Sequence, residues 1–80
     1  MGGLILIDTA TRNDGYKYRA WTSVLGGKVV TAGCHIWVGE DAVQQARAHC
    51  ETRTDEPNRA QALRIIDFLA AGYAAHAEDA

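Results

Sequence analysis

Eighty residues, 48% of them hydrophobic and 22% charged, describe one ordinary globular domain spanning residues 1–80. A chain this short hides roughly 60–65% of the surface it exposes when unfolded, so its core is thin and a deep catalytic pocket is not expected. The net charge of −2 divides into +2 over residues 1–39 (four bases against two acids) and −4 over residues 40–80 (four arginines against eight acids), which excludes attachment to nucleic acid by bulk charge and leaves room for a local cationic face.

In chain order, the segment Leu4–Ile7 holds only four consecutive large apolar residues with no basic group ahead of it, so neither a signal peptide nor a membrane span is expected. Residues 4–11, 16–24 and 28–38 are rich in β-branched and aromatic side chains and read as three strands of an antiparallel meander. The glycines of "NDG" at 13–15 and "LGG" at 25–27 supply the turns. For the first hairpin a two-residue Asp14-Gly15 turn is expected. It keeps Asp8 outside, near Arg19 and Trp21, whereas a three-residue turn buries that carboxylate without a visible partner. For the second, a Leu25-Gly26-Gly27 loop sets Tyr16 opposite Ile36, Tyr18 opposite Cys34, Ala20 opposite Ala32 and Thr22 opposite Val30, one consistent apolar face.

Two helices follow. In "EDAVQQARAHC", Asp41 is the expected N-cap with Gln44 completing a capping box, and Val43, Ala46 and Cys50 share a face. A polar break at 52–56 precedes Pro57, which suits the first turn of a second helix running to about residue 75. Ala62, Ile65, Ile66, Leu69 and Tyr73 form a stripe wide enough to cover the sheet. Gly72 interrupts that helix and points to close packing there, and Asp67 is expected to pair with Arg64. The fold expected is therefore α+β: a three-stranded meander with both helices on one face.

Chemistry-bearing constellations are sparse. Cys34-His35 and His49-Cys50 supply the right inventory for zinc, but adjacent residues on a strand point to opposite faces and adjacent residues on a helix diverge by about 100°. No metal site, cofactor or enzymatic centre is expected, and both cysteines read as small core fillers and free thiols of a reducing cytoplasm. "LGGK" lacks the rest of a phosphate-binding loop.

What remains is "YKYRAW" at 16–21, which places Lys17, Arg19 and Trp21 on the face turned away from the tyrosines. With His35 and Trp37 of the third strand, these five residues form the expected partner-binding surface, beside Leu4 and Leu6. Such a face serves a protein partner, a homodimer, or stacked single-stranded bases, or it is simply solvated with the indoles under basic stems. Glu51, Asp55 and Glu56 make a rival acidic surface on the helical side.

In its size, short meander and alanine-rich helices the whole chain resembles the phage-encoded anti-CRISPR proteins, and type I-C inhibitors in particular. The resemblance rests on overall layout and assigns no residue. It implies a non-enzymatic inhibitor that binds a subunit of the Cascade surveillance complex in the bacterial cytoplasm and blocks target DNA recognition. Residues 28–50, with "GEDAVQQA" after a strand and glycine turn, are similar to HicB-type antitoxins, which implies instead the capture of a small toxin.

Overall fold

The computed structural model describes residues 3–79. Four strands and two helices follow in order: β1 (Leu4–Thr11), β2 (Lys17–Ser23), β3 (Lys28–Ala32), β4 (His35–Val38), α1 (Ala42–Arg53) and α2 (Asn58–Asp79). The strands form one antiparallel sheet in sequential order, and both helices pack on one of its faces. The α+β class matches the expectation, with four strands in place of three.

The extra strand comes from Gly33. The segment 28–38 does not run straight but folds at Gly33-Cys34 into a tight hairpin, pairing Ala32 with His35 and Val30 with Trp37. Gly33 has φ +58°, and a Cβ there would meet the Tyr16 hydroxyl at 2.6 Å. That hydroxyl donates to the Ala32 carbonyl at 3.0 Å and so roofs the turn. A residue with a side chain fits neither the backbone conformation nor the space.

Both other hairpins depart from the expected register. The first closes as a three-residue Asn13-Asp14-Gly15 loop, with Arg12 N donating to Tyr16 O and Gly15 N to Arg12 O, each at 2.9 Å. Arg12 grips Asp14 through two hydrogen bonds of 3.0 and 2.7 Å, which favours this loop over the two-residue turn. A bulge at Ile7 then restores Leu4 and Leu6 to the outer face, opposite Ser23 and Trp21. Asp8 pairs with Ala20 and so turns inward, correcting the expectation that it lies outside near Arg19. Its carboxylate rests on Gly72 of α2, where any Cβ would collide with Asp8 Oδ2. The close packing expected at Gly72 is thus packing on Asp8.

The β2–β3 loop is Val24-Leu25-Gly26, one position earlier than expected, closed by Ser23 N to Gly27 O at 2.7 Å. Tyr18 therefore faces Ala32 and Ala20 faces Val30, a two-residue shift. An even shift keeps every side chain on its expected face, so Tyr18, Ala20, Val30 and Ala32 all enter the core.

The helical stripe is buried as expected: Ala62, Ile65, Ile66, Leu69 and Tyr73 meet Val43, Ala46 and Cys50 over the sheet. The Tyr73 hydroxyl shares its proton between Trp21 O at 2.6 Å and Val29 O at 2.9 Å, tying α2 to two strands. Asp41 is the N-cap residue of α1 but makes no side-chain cap bond, because its backbone (φ −98°, ψ 17°) is not extended. The capping box with Gln44 does not form, and Gln45 Nε2 donates to Asp41 Oδ1 at 2.7 Å instead. Asp67 pairs across the helices with Arg47 at 2.8 Å rather than with Arg64. Pro57 lies just ahead of α2, which runs past residue 75 to Asp79. Cys50 is buried and Cys34, in the hairpin turn, is exposed, so only one of the two cysteines is a core filler.

Candidate functional site

Strand β2 alternates strictly. Tyr18 and Ala20 face the helices, so Lys17, Arg19 and Trp21 face away from them. Trp21 is held in place: its Nε1–H donates to Thr31 Oγ1 at 3.1 Å on the neighbouring strand, and Leu6 lies opposite it on β1. The indole is half-buried by the sheet itself, with no helix over it.

The hairpin at Gly33 decides what else shares this face. A two-residue turn pairs Thr31 with Ile36 and Val29 with Val38, so the even-numbered residues of β4 are the outer ones. Ile36 and Val38 are 66% and 63% exposed, and Leu4 and Leu6 about half exposed on the far side of Trp21. His35 and Trp37 therefore lie on the helix-facing side, correcting the expectation that they stand beside Trp21. Of the five residues expected to form one surface, the structure brings together Lys17, Arg19 and Trp21. Ile36 and Val38 take the places of the other two. The signal for this was present in "AGC" at 32–34, since a glycine inside a strand-like run marks a bend.

With Asp8 turned inward, the residues paired across the outer face of β1 to β4 include Lys17 and Arg19 and no carboxylate. Among the described residues neither base makes an ion pair; the four salt bridges involve Arg12, Lys28, Arg47 and Arg59. The face is thus an apolar surface with a cationic end, formed by Lys17 and Arg19 near the Arg12–Tyr16 hairpin.

His35 and Trp37 instead line a pocket of 360 Å³ between the β3–β4 hairpin, α1 and the α1–α2 connection. Their rings stack at 5.6 Å with 15° between planes, and His49 of α1 closes the group at 4.2 Å from His35 and 5.3 Å from Trp37. Burial, then the neighbouring His35, then Arg53 hold the His49 imidazolium below its ordinary pKa. At the opposite wall Arg12 lies 4.4 Å over the Tyr16 ring and donates to the Tyr18 hydroxyl at 3.2 Å. Burial is the main cause that pushes Tyr18 up to about 12, with Cys50 next to it adding to the effect.

The rival acidic residues divide. Asp55 and Glu56 border this same pocket, and Glu56 takes Arg59 at 3.8 Å, while Glu51 stands exposed on α1. Their negative charge is interleaved with Arg53 and Arg59 rather than forming a continuous acidic strip. No three His, Cys, Asp or Glu side chains converge to hold an ion among the described residues, and no described helix is long and apolar enough to cross a membrane. Compared with known protein families, characterised proteins and solved structures, the chain matches none of them.

Proposed function

We propose that this chain is a non-enzymatic binding protein that docks through its outer sheet face onto an apolar protein surface bordered by acidic groups. The observation that carries the reading is the composition of that face: an anchored tryptophan, two unpaired bases, four exposed aliphatic side chains and no carboxylate. A contiguous exposed apolar surface of this kind is costly in water and marks an interaction site. Trp and Arg are the side chains that dominate binding energy at such sites. Lys17 and Arg19 steer the approach of an acidic partner and fix its register.

The resemblance to type I-C anti-CRISPR proteins supplies the target class: a protein subunit of the Cascade surveillance complex, whose recognition of target DNA the bound chain blocks. Inhibition is then stoichiometric. The test is direct binding of the purified chain to purified type I-C Cascade, alongside Cascade's binding to its DNA target. Trp21→Ala and Arg19→Glu are each expected to weaken binding about 30-fold or more, the cost of losing a hot spot of ~2 kcal/mol. A triple neutralisation of Glu51, Asp55 and Glu56 is expected to leave it unchanged. If only the acidic triple abolishes binding, the contact surface is the helical one.

The two bases beside Trp21 support single-stranded nucleic acid as a second reading, with one ring available for stacking. Affinity for an oligonucleotide that falls steeply with salt, with no protein partner present, would favour it. The HicB-type alternative requires tight binding to a small toxin and no effect on Cascade, and a homodimer through this face requires a concentration-dependent mass that Trp21→Ala abolishes.

A further inference from the structure

The β3–β4 hairpin returns His35 to the inner side of the sheet, where α1 brings His49 to meet it, 14 positions on in the chain. The ring centroids are 4.2 Å apart and inclined by 51°. Both imidazoles are half-exposed and border the open 360 Å³ pocket. The side-chain hydrogen bonds around that pocket run from Arg12 to Asp14 and Tyr18, from Asn58 to Asp14, from Tyr16 to Ala32 O and from Arg59 to Thr54 O; none uses either imidazole. Two imidazoles from separate elements thus present ring nitrogens with no partner among the described residues.

We propose that His35 and His49 form a two-nitrogen site for a borderline divalent transition metal of the Zn²⁺, Ni²⁺ and Cu²⁺ class, with water completing the coordination. Imidazole is a favoured ligand of these ions. Metal–nitrogen bonds of about 2.0–2.1 Å on both rings place their centroids roughly 5 Å apart, so the pair needs to open by under about 1 Å and turn one nitrogen of each ring toward the shared ion. Both rings border the open 360 Å³ pocket, into which they would part. The local charge also permits a cation: Asp14 neutralises Arg12, and Asp55 and Glu56 line the pocket together with Arg53. The site is open and has two protein ligands, so its occupancy is reversible and set by the surrounding metal concentration.

The experiment titrates the metal-free full chain with Zn²⁺ by calorimetry and with Cu²⁺ by electron paramagnetic resonance. One ion per chain with two-nitrogen hyperfine structure is expected. Cu²⁺ quenches the fluorescence of Trp37, whose ring lies 5.6 Å from His35, more strongly than that of Trp21 on the other face. Accordingly Trp37→Phe loses most of the quenching and Trp21→Phe keeps it. His35→Gln and His49→Gln each weaken binding at least tenfold, whereas His76→Gln and Cys34→Ser leave it unchanged. Binding that survives both glutamine variants, or that disappears in Cys34→Ser, overturns the proposal, as does a copper spectrum without two nitrogen ligands.

Discussion

Gly72→Ala tests the inward turn of Asp8, on which the composition of the outer face depends. Inside an exposed helix, replacing glycine by alanine gains about 1 kcal/mol from backbone entropy and propensity. At position 72 the added methyl collides with Asp8 Oδ2 and sits 3.0 Å from Asp8 Cγ and 3.5 Å from Ile7 Cγ2. Relieving such overpacking costs about 1–3 kcal/mol, because Asp8 is too short to swing clear without leaving its rotamer or shifting β1. The single variant is therefore expected to be destabilised by about 0–2 kcal/mol. With Asp8→Ala in place the obstacle is gone, and Gly72→Ala is expected to stabilise by up to about 1 kcal/mol. The double-mutant cycle thus carries a coupling of about 1–3 kcal/mol. Urea denaturation of the four proteins, followed by far-ultraviolet circular dichroism, measures it, with a constant m-value confirming that the unfolded state has not changed. If Gly72→Ala stabilises equally in both backgrounds, Asp8 does not lie on Gly72. The β1 register, with its bulge at Ile7, would then be wrong.

Three further outcomes are expected. Tyr18, pushed up to about 12 from an ordinary 10, keeps its proton in the folded chain when the unfolded chain has already lost it. The associated stability is full below pH 10 and falls as pH rises through about 12, a change of about 2–3 kcal/mol; Tyr18→Phe should flatten that part of the alkaline slope, and an unaltered slope would refute a buried phenol. Leu69→Ala, at a fully buried position, should cost about 2–5 kcal/mol. Phe68→Ala, one residue away on a side chain that is 49% exposed, should cost far less, and equal losses would mean that α2 is rotated. A thiol reagent applied to the native protein should modify exposed Cys34 quickly and leave Cys50, buried and with its thiol pushed up by that burial, until the chain unfolds; simultaneous reaction of both would place Cys50 outside the core.

The sequence by itself determined the elements that local chemistry dictates: the α+β class, the helix stripes at Val43–Ala46–Cys50 and Ala62–Tyr73, and the inward face of β2. These follow from periodicity, which each segment carries internally. Facing survived even where register did not, because the misplaced second loop shifted pairing by two residues and an even shift preserves facing. Tertiary structure alone decided the remainder. Whether Asp8 turns in or out rests on one extra residue in the 13–15 loop, and the room for its carboxylate rests on a glycine 64 positions later, two features whose connection is invisible along the chain. Whether Trp37 and His35 join Trp21 rests on a single bend at Gly33, which reverses the facing of everything after it. That bend removed two aromatic rings from the outer sheet face, left Ile36 and Val38 in their place, and brought two histidines together on the opposite side. A short strand has only two ways to face, so one turn residue is enough to reassign a whole surface.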